Sequence, residues 1–176
     1  MLIKTIFAGF GGQGALSMGL NLAQAAMVEG KNVTYLPSYG AEVRGGTANC
    51  TVALSDEDIA SPVASSPEFI VVMNKPSLVR FQNLLQSGGV LFINSSLVDA
   101  ETTRGDIEVI RVPANTIAEE LGSPKAANMV MLGAFIKKSN LVSLETVIAE
   151  LKNVLKKKKS LIGINTKSLK TGHDLF

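Results

Sequence analysis

Two short stretches of this chain carry residues spaced for chemistry. The first is Gly9-Phe10-Gly11-Gly12-Gln13-Gly14, a G-x-G-x-x-G pattern set between a strand-like run and a helical one. Glycines let the backbone turn tightly and come close to a ligand, and the amide hydrogens at the start of the following helix favour an anion. Gly9, Gly11, Gly12, Gln13 and Gly14 are therefore the first candidate cofactor contacts. The second stretch is SYGAEVRGG, at 38–46. Arg44 offers a fork of donors suited to a phosphate or a carboxylate. Gly45 and Gly46 let the backbone pass close to a neighbour, and Glu42 can orient Arg44 or pair across an interface.

Neither stretch supplies an evident catalytic group. No histidine, lysine or acid stands in a recognisable catalytic place, so no catalytic residue is assigned. A dinucleotide site needs an acid at the end of the second strand to take the ribose hydroxyls. That strand ends Tyr35-Leu36-Pro37-Ser38, and Glu42 comes four residues later, inside the loop. A free-standing NAD(P)-binding dehydrogenase of Rossmann type remains the alternative, as does a glycine turn that serves packing alone. Cys50 is the single cysteine and His173 the single histidine. A cysteine-ligated cluster or zinc site within the chain is excluded, and no metal site is expected. Cys50 falls on the apolar side of an alternating run and is expected to be a small buried hydrophobe. His173, in a polar tail, is expected at the surface.

The chain has 176 residues, 46% hydrophobic and 18% charged, with a mean hydropathy of +0.27 and a net charge of +2. That composition fits one globular domain with a sizeable core. No apolar run approaches the about 20 residues a membrane span needs, and no basic face for nucleic acid is visible. The start, MLIKTIFAGFGG, lacks the features of a signal peptide, so a cytoplasmic protein is expected. The surplus apolar surface points to burial against partner subunits or within a buried parallel sheet. Four lysines at 156–159 are expected to be a solvated helix end, where cations suit the dipole.

The elements that must position the two loops follow from periodicity. Strands are expected at 2–8, 31–36, 47–54, 69–73, 90–93 and 107–112, and helices at 14–29, 76–86, 115–121, 126–138 and 144–158. Alternation of strands and helices indicates an α/β layered, Rossmann-like domain. The strict alternation at 47–54 indicates a strand with two unlike faces, antiparallel or near an edge, so the sheet is expected to be mixed but mostly parallel, with flanking helices. One domain is expected over 1–176, with a tail from about 160 that docks weakly or moves alone. Asn128 reads as a helix cap or first-turn residue, and Gly133 as a close contact against the sheet or a partner subunit.

GFGGQGALSMGLNLAQAA, SYGAEVRGGTANCTVALS, Ile59-Ala60-Ser61-Pro62 and NMVMLGAFIKKSNLVSLETV together resemble the gamma subunit family of 2-oxoacid:ferredoxin oxidoreductases. The same domain occurs within the fused pyruvate:ferredoxin enzymes. This resemblance implies a subunit that is not active alone. Its complex would join a 2-oxoacid and coenzyme A to give acyl-CoA, carbon dioxide and reduced ferredoxin or flavodoxin. It implies alpha and beta, and in some complexes delta, partner subunits, which hold the thiamine diphosphate and the iron–sulfur clusters. It implies that the loop at 38–46 faces those partners and the active-site cleft, with Arg44 and Gly45 as cofactor contacts and Tyr39, Glu42 and Gly46 as interface residues. Coenzyme A is the polyanion it implies for the domain, received by the turn at 11–14 unless that turn braces the loop beside the thiamine cleft. By resemblance alone the acid is expected to be 2-oxoglutarate.

Overall fold

Six strands of one sheet stand in the order β2-β3-β1-β4-β5-β6, in a computed structural model that describes residues 1–40 and 46–176. They are β1 (Leu2–Phe10), β2 (Asn32–Tyr39), β3 (Thr47–Ser55), β4 (Phe69–Val72), β5 (Val90–Asn94) and β6 (Glu108–Val112). Strand β3 runs antiparallel to both β1 and β2, while β1, β4, β5 and β6 are parallel neighbours. The helices are α1 (Ala15–Val28), α2 (Lys75–Phe81), α3 (Ala114–Glu120), α4 (Ala127–Ser139), α5 (Leu144–Val154) and α6 (Ile162–His173). The architecture is the layered α/β one expected, with a mixed, mostly parallel sheet flanked by helices.

One face of the sheet carries the larger core. Phe7, Cys50, Val52 and Phe92 point into it, and Met18 and Leu22 of α1 and Phe135 of α4 meet them. Phe135 packs its ring edge-on to Phe7 at 5.3 Å and to Phe69 at 5.5 Å between centroids, an arrangement that suits the aromatic quadrupoles. The other face is thinner. Ile6, Ala8, Ile70, Val72 and Ile93 pack there under Leu78 and Phe81 of α2. Helix α4 is buried along ten successive positions, from Ala127 to Ile136. It lies under α6 as well as over the sheet, which is why its sequence shows little amphipathic periodicity.

The alternating strand β3 is antiparallel and stands next to the edge strand β2, as its pattern indicated, while several other expectations are corrected. Strand β2 runs on through Pro37 to Tyr39, which an edge strand tolerates because it needs no ladder donor on its outer side. Helix α5 stops at Val154, and the four lysines that follow are exposed in the turn beyond it. The segment expected to dock weakly forms α6, with Ser168, Leu169 and Gly172 buried. Its polar composition hides a packing made by backbone. A Cβ on Gly133 would stand 2.7 Å from the His173 nitrogen, and one on Gly172 2.7 Å from the Val130 carbonyl carbon. Gly133 is thus a contact against α6, not against the sheet, and His173 lies at the surface, half-buried.

Candidate functional site

The glycine turn lies at the carboxyl end of β1, and its shape follows from three positions. Gly12 (φ +99°) and Gly14 (φ +79°) occupy the left-handed region that glycine alone enters freely. Gly9 has no room for a side chain, since a Cβ there would lie 2.9 Å from Gln13 Oε1 and 3.1 Å from Met73 Cβ. The turn closes through the Gln13 amide donating to the Phe10 carbonyl at 3.0 Å. Gln13 also turns its side chain inward. Its Oε1 accepts from the Phe10 amide at 2.7 Å and from Asn74 Nδ2 at 2.9 Å, and its Nε2 donates to the Met73 carbonyl at 3.4 Å. This clamp ties the end of β1 to the end of β4. Asn74 in turn caps α2 by accepting from the Ser77 amide at 2.9 Å.

Further amides extend the clamp along the same edge of the sheet. Asn94, wholly buried at the end of β5, donates through Nδ2 to Asn115 Oδ1 at 2.8 Å and to the Met73 carbonyl at 3.3 Å. Gln13, Asn74, Asn94 and Asn115 thus hold the carboxyl ends of β1, β4 and β5 and the start of α3 in one network of neutral dipoles. These bonds restrict the geometry of the members, while Asn94 Oδ1 is buried with no partner among the described residues.

A cleft of about 200 Å³ opens beside this network, lined by Gly12, Gln13, Met73, Asn115, Pro124, Lys125, Ala127 and Asn128. It lies at the carboxyl ends of β1 and β4, where the chain's path across the sheet reverses. That is where open α/β sheets place their ligands. Among the described residues, Lys125 is the one charged residue in its wall. Across the glycine turn, a hollow of about 290 Å³ is lined by Gly11, Gly12, Leu16, Tyr39 and Ala48. The turn is therefore a wall shared by the two hollows. The Gly11 amide donates to the Gly46 carbonyl at 2.9 Å and fastens the glycine turn to the end of the β2–β3 connection.

The structure thus brings together Gly9, Gly11, Gly12, Gln13, Gly14, Tyr39 and Gly46. They divide by role: Gly9 and Gln13 brace the turn from inside, while Gly11, Gly12 and Gly14 line hollows. Tyr39 is 68% exposed. Glu42, Arg44 and Gly45 lie outside the described residues. Sequence reading missed Met73, Asn94, Asn115 and Lys125, which are ordinary residues at strand ends and helix starts. Asn128 is in the first turn of α4, one position past its start at Ala127, and it does not cap the helix. It backs onto Gly14 instead: a Cβ on Gly14 would stand 2.6 Å from Asn128 Cγ.

Cys50 is buried as expected, with Sγ 3.6 Å from the Ala15 carbonyl. Burial pushes its thiol up to about 12, and burial does the same to the Tyr35 hydroxyl beside it. Neither ionises near neutral pH, so neither offers a nucleophile. Among the described residues no group of His, Cys, Asp and Glu could hold a metal ion, and no helix is long and apolar enough to cross a membrane. A dinucleotide fold places the parallel β2 directly beside β1, with its acid near the glycine turn. Here the antiparallel β3 intervenes, so the end of β2 stands one strand further away.

Comparison with known proteins agrees with this geometry. Residues 4–175 match the family described as pyruvate ferredoxin/flavodoxin oxidoreductase. The ketoisovalerate oxidoreductase subunit VorA of Methanothermobacter marburgensis is 38% identical over 98% of this chain, and the chain spans 36% of VorA's length. The 2-oxoglutarate synthase subunit KorC of the same organism is 35% identical, over 83% of this chain and 82% of KorC. The crystal structure of a keto/oxoacid ferredoxin oxidoreductase gamma subunit from Geobacter sulfurreducens superposes with a TM-score of 0.81 at 28% identity, covering 98% of this chain and 96% of that one. Matched along nearly its whole length, the chain belongs to the pyruvate ferredoxin/flavodoxin oxidoreductase family.

Proposed function

We propose that this chain is the gamma subunit of a 2-oxoacid:ferredoxin or flavodoxin oxidoreductase, a single domain that works with alpha and beta subunits in the cytoplasm. The complex converts a 2-oxoacid and coenzyme A to acyl-CoA and carbon dioxide and passes electrons to its acceptor. The observation that carries this reading is the glycine turn, braced by Gln13 and fastened to Gly46, standing between two hollows at the reversal of the sheet.

The cleft wall offers groups suited to an anionic part of a ligand such as coenzyme A, which as a whole exceeds a cleft of about 200 Å³. Backbone turns at Gly12 admit close approach, Lys125 supplies a cation, and the amides of Asn115 and Asn128 offer both donors and acceptors. When bound, coenzyme A supplies the thiol that accepts the acyl group. This chain's own residues bind and orient: the amide clamp keeps the turn rigid, so the ligand meets a surface that needs no rearrangement. The residues do not fit an iron–sulfur cluster, because the sequence holds one cysteine and that thiol is buried. Thiamine diphosphate and the clusters are assigned to the partner subunits.

Reconstitution tests the reading. The chain alone should not support 2-oxoacid-dependent reduction of a viologen dye, whereas the chain with its alpha and beta partners and coenzyme A should. Turnover by the purified chain without partners would overturn it. 2-Oxoglutarate is the first substrate to assay, since KorC is one of the relatives of nearly this chain's length. Preference for 3-methyl-2-oxobutanoate would reassign the acid and leave the subunit reading standing.

A further inference from the structure

Charge is distributed over this molecule in a lopsided way. No Asp, Glu, Lys or Arg occurs from 5 to 28, from 32 to 40, or from 46 to 55. Those residues are most of β1, all of α1, β2 and β3, and the glycine turn. Charges gather elsewhere, in the acidic run at 56–58 and the four lysines at 156–159. An uncharged core gains nothing unusual from lacking charge, but α1 and β2 are not only core. Leu20 is 40% exposed, Met27 63% and Tyr39 68%.

These side chains form one surface. Leu16, Leu20 and Met27 recur on one side of α1 at spacings of four and seven. That side adjoins the sheet edge, because the Tyr35 hydroxyl of β2 donates to the Leu16 carbonyl at 3.2 Å. Leu16 and Tyr39 line the same hollow. Strand β2 closes the sheet, and no described strand pairs with its outer side. The result is an apolar stripe on a helix beside an open strand edge, and among the described residues α1 and β2 themselves carry no charge. Protein interfaces show this composition at their centres, where charges are depleted and Met and aromatic residues enriched.

What covers the stripe is indicated by chain lengths. VorA matches nearly all of this chain, yet the match takes up 36% of VorA, so VorA carries a larger further polypeptide. KorC is matched over 82% of its length, so the same unit also exists as a chain of about this size. A fused unit is held near its neighbour by the linking chain, at high effective concentration. A separate unit has only its surface to do that. We propose that the α1 stripe and the β2 edge dock a second polypeptide, one related to the part of VorA that this chain leaves unmatched. The docking face of that polypeptide is itself uncharged and apolar at its centre, since a charge buried against this stripe would lose water and gain no counter-ion. The inference rests on the subunit reading and adds to it the surface and the partner.

The test uses the full chain and the polypeptide of the same organism that is related to the unmatched part of VorA. Binding is measured by sedimentation velocity and hydrogen exchange, with wild type, L20E, M27E and, as a control on the far side of the sheet, V79E. Val79 is 62% exposed on α2. The wild type and V79E should bind alike and gain protection along α1 and β2, while L20E and M27E should weaken binding about tenfold or more without lowering Tm. A complex that forms equally well with L20E and M27E overturns the surface and leaves the subunit reading intact. No complex with any variant overturns both. Self-association that L20E abolishes, with no binding of the second polypeptide, assigns the stripe to a second copy and overturns the proposal.

Discussion

Gly14 and Asn128 meet where the first turn of α1 backs onto the first turn of α4, so closely that a Cβ on Gly14 would lie 2.6 Å from Asn128 Cγ and 2.8 Å from its Cβ. Two costs follow for Gly14→Ala. The left-handed backbone at φ +79° costs an alanine about 1–2 kcal/mol, and the clash adds about 1–3 kcal/mol. Urea denaturation should show a loss of about 2–5 kcal/mol. Adding Asn128→Gly should return the steric part but not the backbone part, giving a coupling energy of about 1–3 kcal/mol in a double-mutant cycle. Strict additivity would place the whole cost in the backbone.

The two glycines of α6 should respond to alanine with opposite signs. Gly163 has nothing within 4 Å of a built Cβ, so Gly163→Ala should raise stability by a few tenths to about 1 kcal/mol through helix propensity. Gly172 faces Val130 backbone, with the carbonyl carbon at 2.7 Å and Cα at 2.9 Å from the built Cβ. Backbone cannot step aside as a side chain can. Gly172→Ala should cost about 2 kcal/mol net, a fall in Tm of about 5 °C for a chain of this size. Thermal melts of the two variants decide the matter; matching shifts would show that α6 does not cross α4 as closely as this.

Gln13 should be worth more than its size suggests. Gln13→Ala leaves the Phe10 amide and Asn74 Nδ2 without the acceptor they share. The expected loss is about 1–3 kcal/mol. Amide exchange at 10–14 should accelerate more than exchange in the middle of α1. Uniform acceleration along the chain would instead indicate a global loss with no special role for the clamp.

Arg104 and Asp106 form a forked ion pair, with Nε to Oδ1 at 2.6 Å and Nη2 to Oδ2 at 2.7 Å. Arg104 Nη1 also donates to the carbonyls of Gln82 and Leu85, so the pair fastens the β5–β6 loop to the end of α2. The guanidinium holds the Asp106 carboxyl down at about 2, against 3.8 for a free group. A carboxyl lowered on folding adds stability that is present above its unfolded value and lost as pH falls through its folded value. Asp106→Asn should therefore lower the urea midpoint near neutral pH and flatten its change between about pH 4 and pH 2. An unchanged acid profile would show that the pair is solvated and contributes nothing.

Much of the architecture was legible in the sequence because it rests on local patterns. Apolar runs of four to nine residues, glycine and proline stops, and the alternation of β3 depend on neighbours along the chain, and each expected element lies within a few residues of its expected place, whereas α6 was not expected. Asn74 is a partial case. Its α2 was expected from Pro76, yet nothing nearby announces that Asn74 also holds Gln13.

By itself the sequence determined the α/β class, the mixed sheet, the glycine turn and the burial of Cys50, because backbone freedom at glycine and solvent avoidance by apolar side chains are properties of residues and their near neighbours. The tertiary structure alone decided that β3 enters between β1 and β2, that Gln13 faces inward, and that a polar C-terminal segment docks as a helix through Gly133 and Gly172. Each of those depends on partners distant in the chain. A contact made by a missing Cβ or a shared carbonyl leaves no periodic mark on the residues that make it.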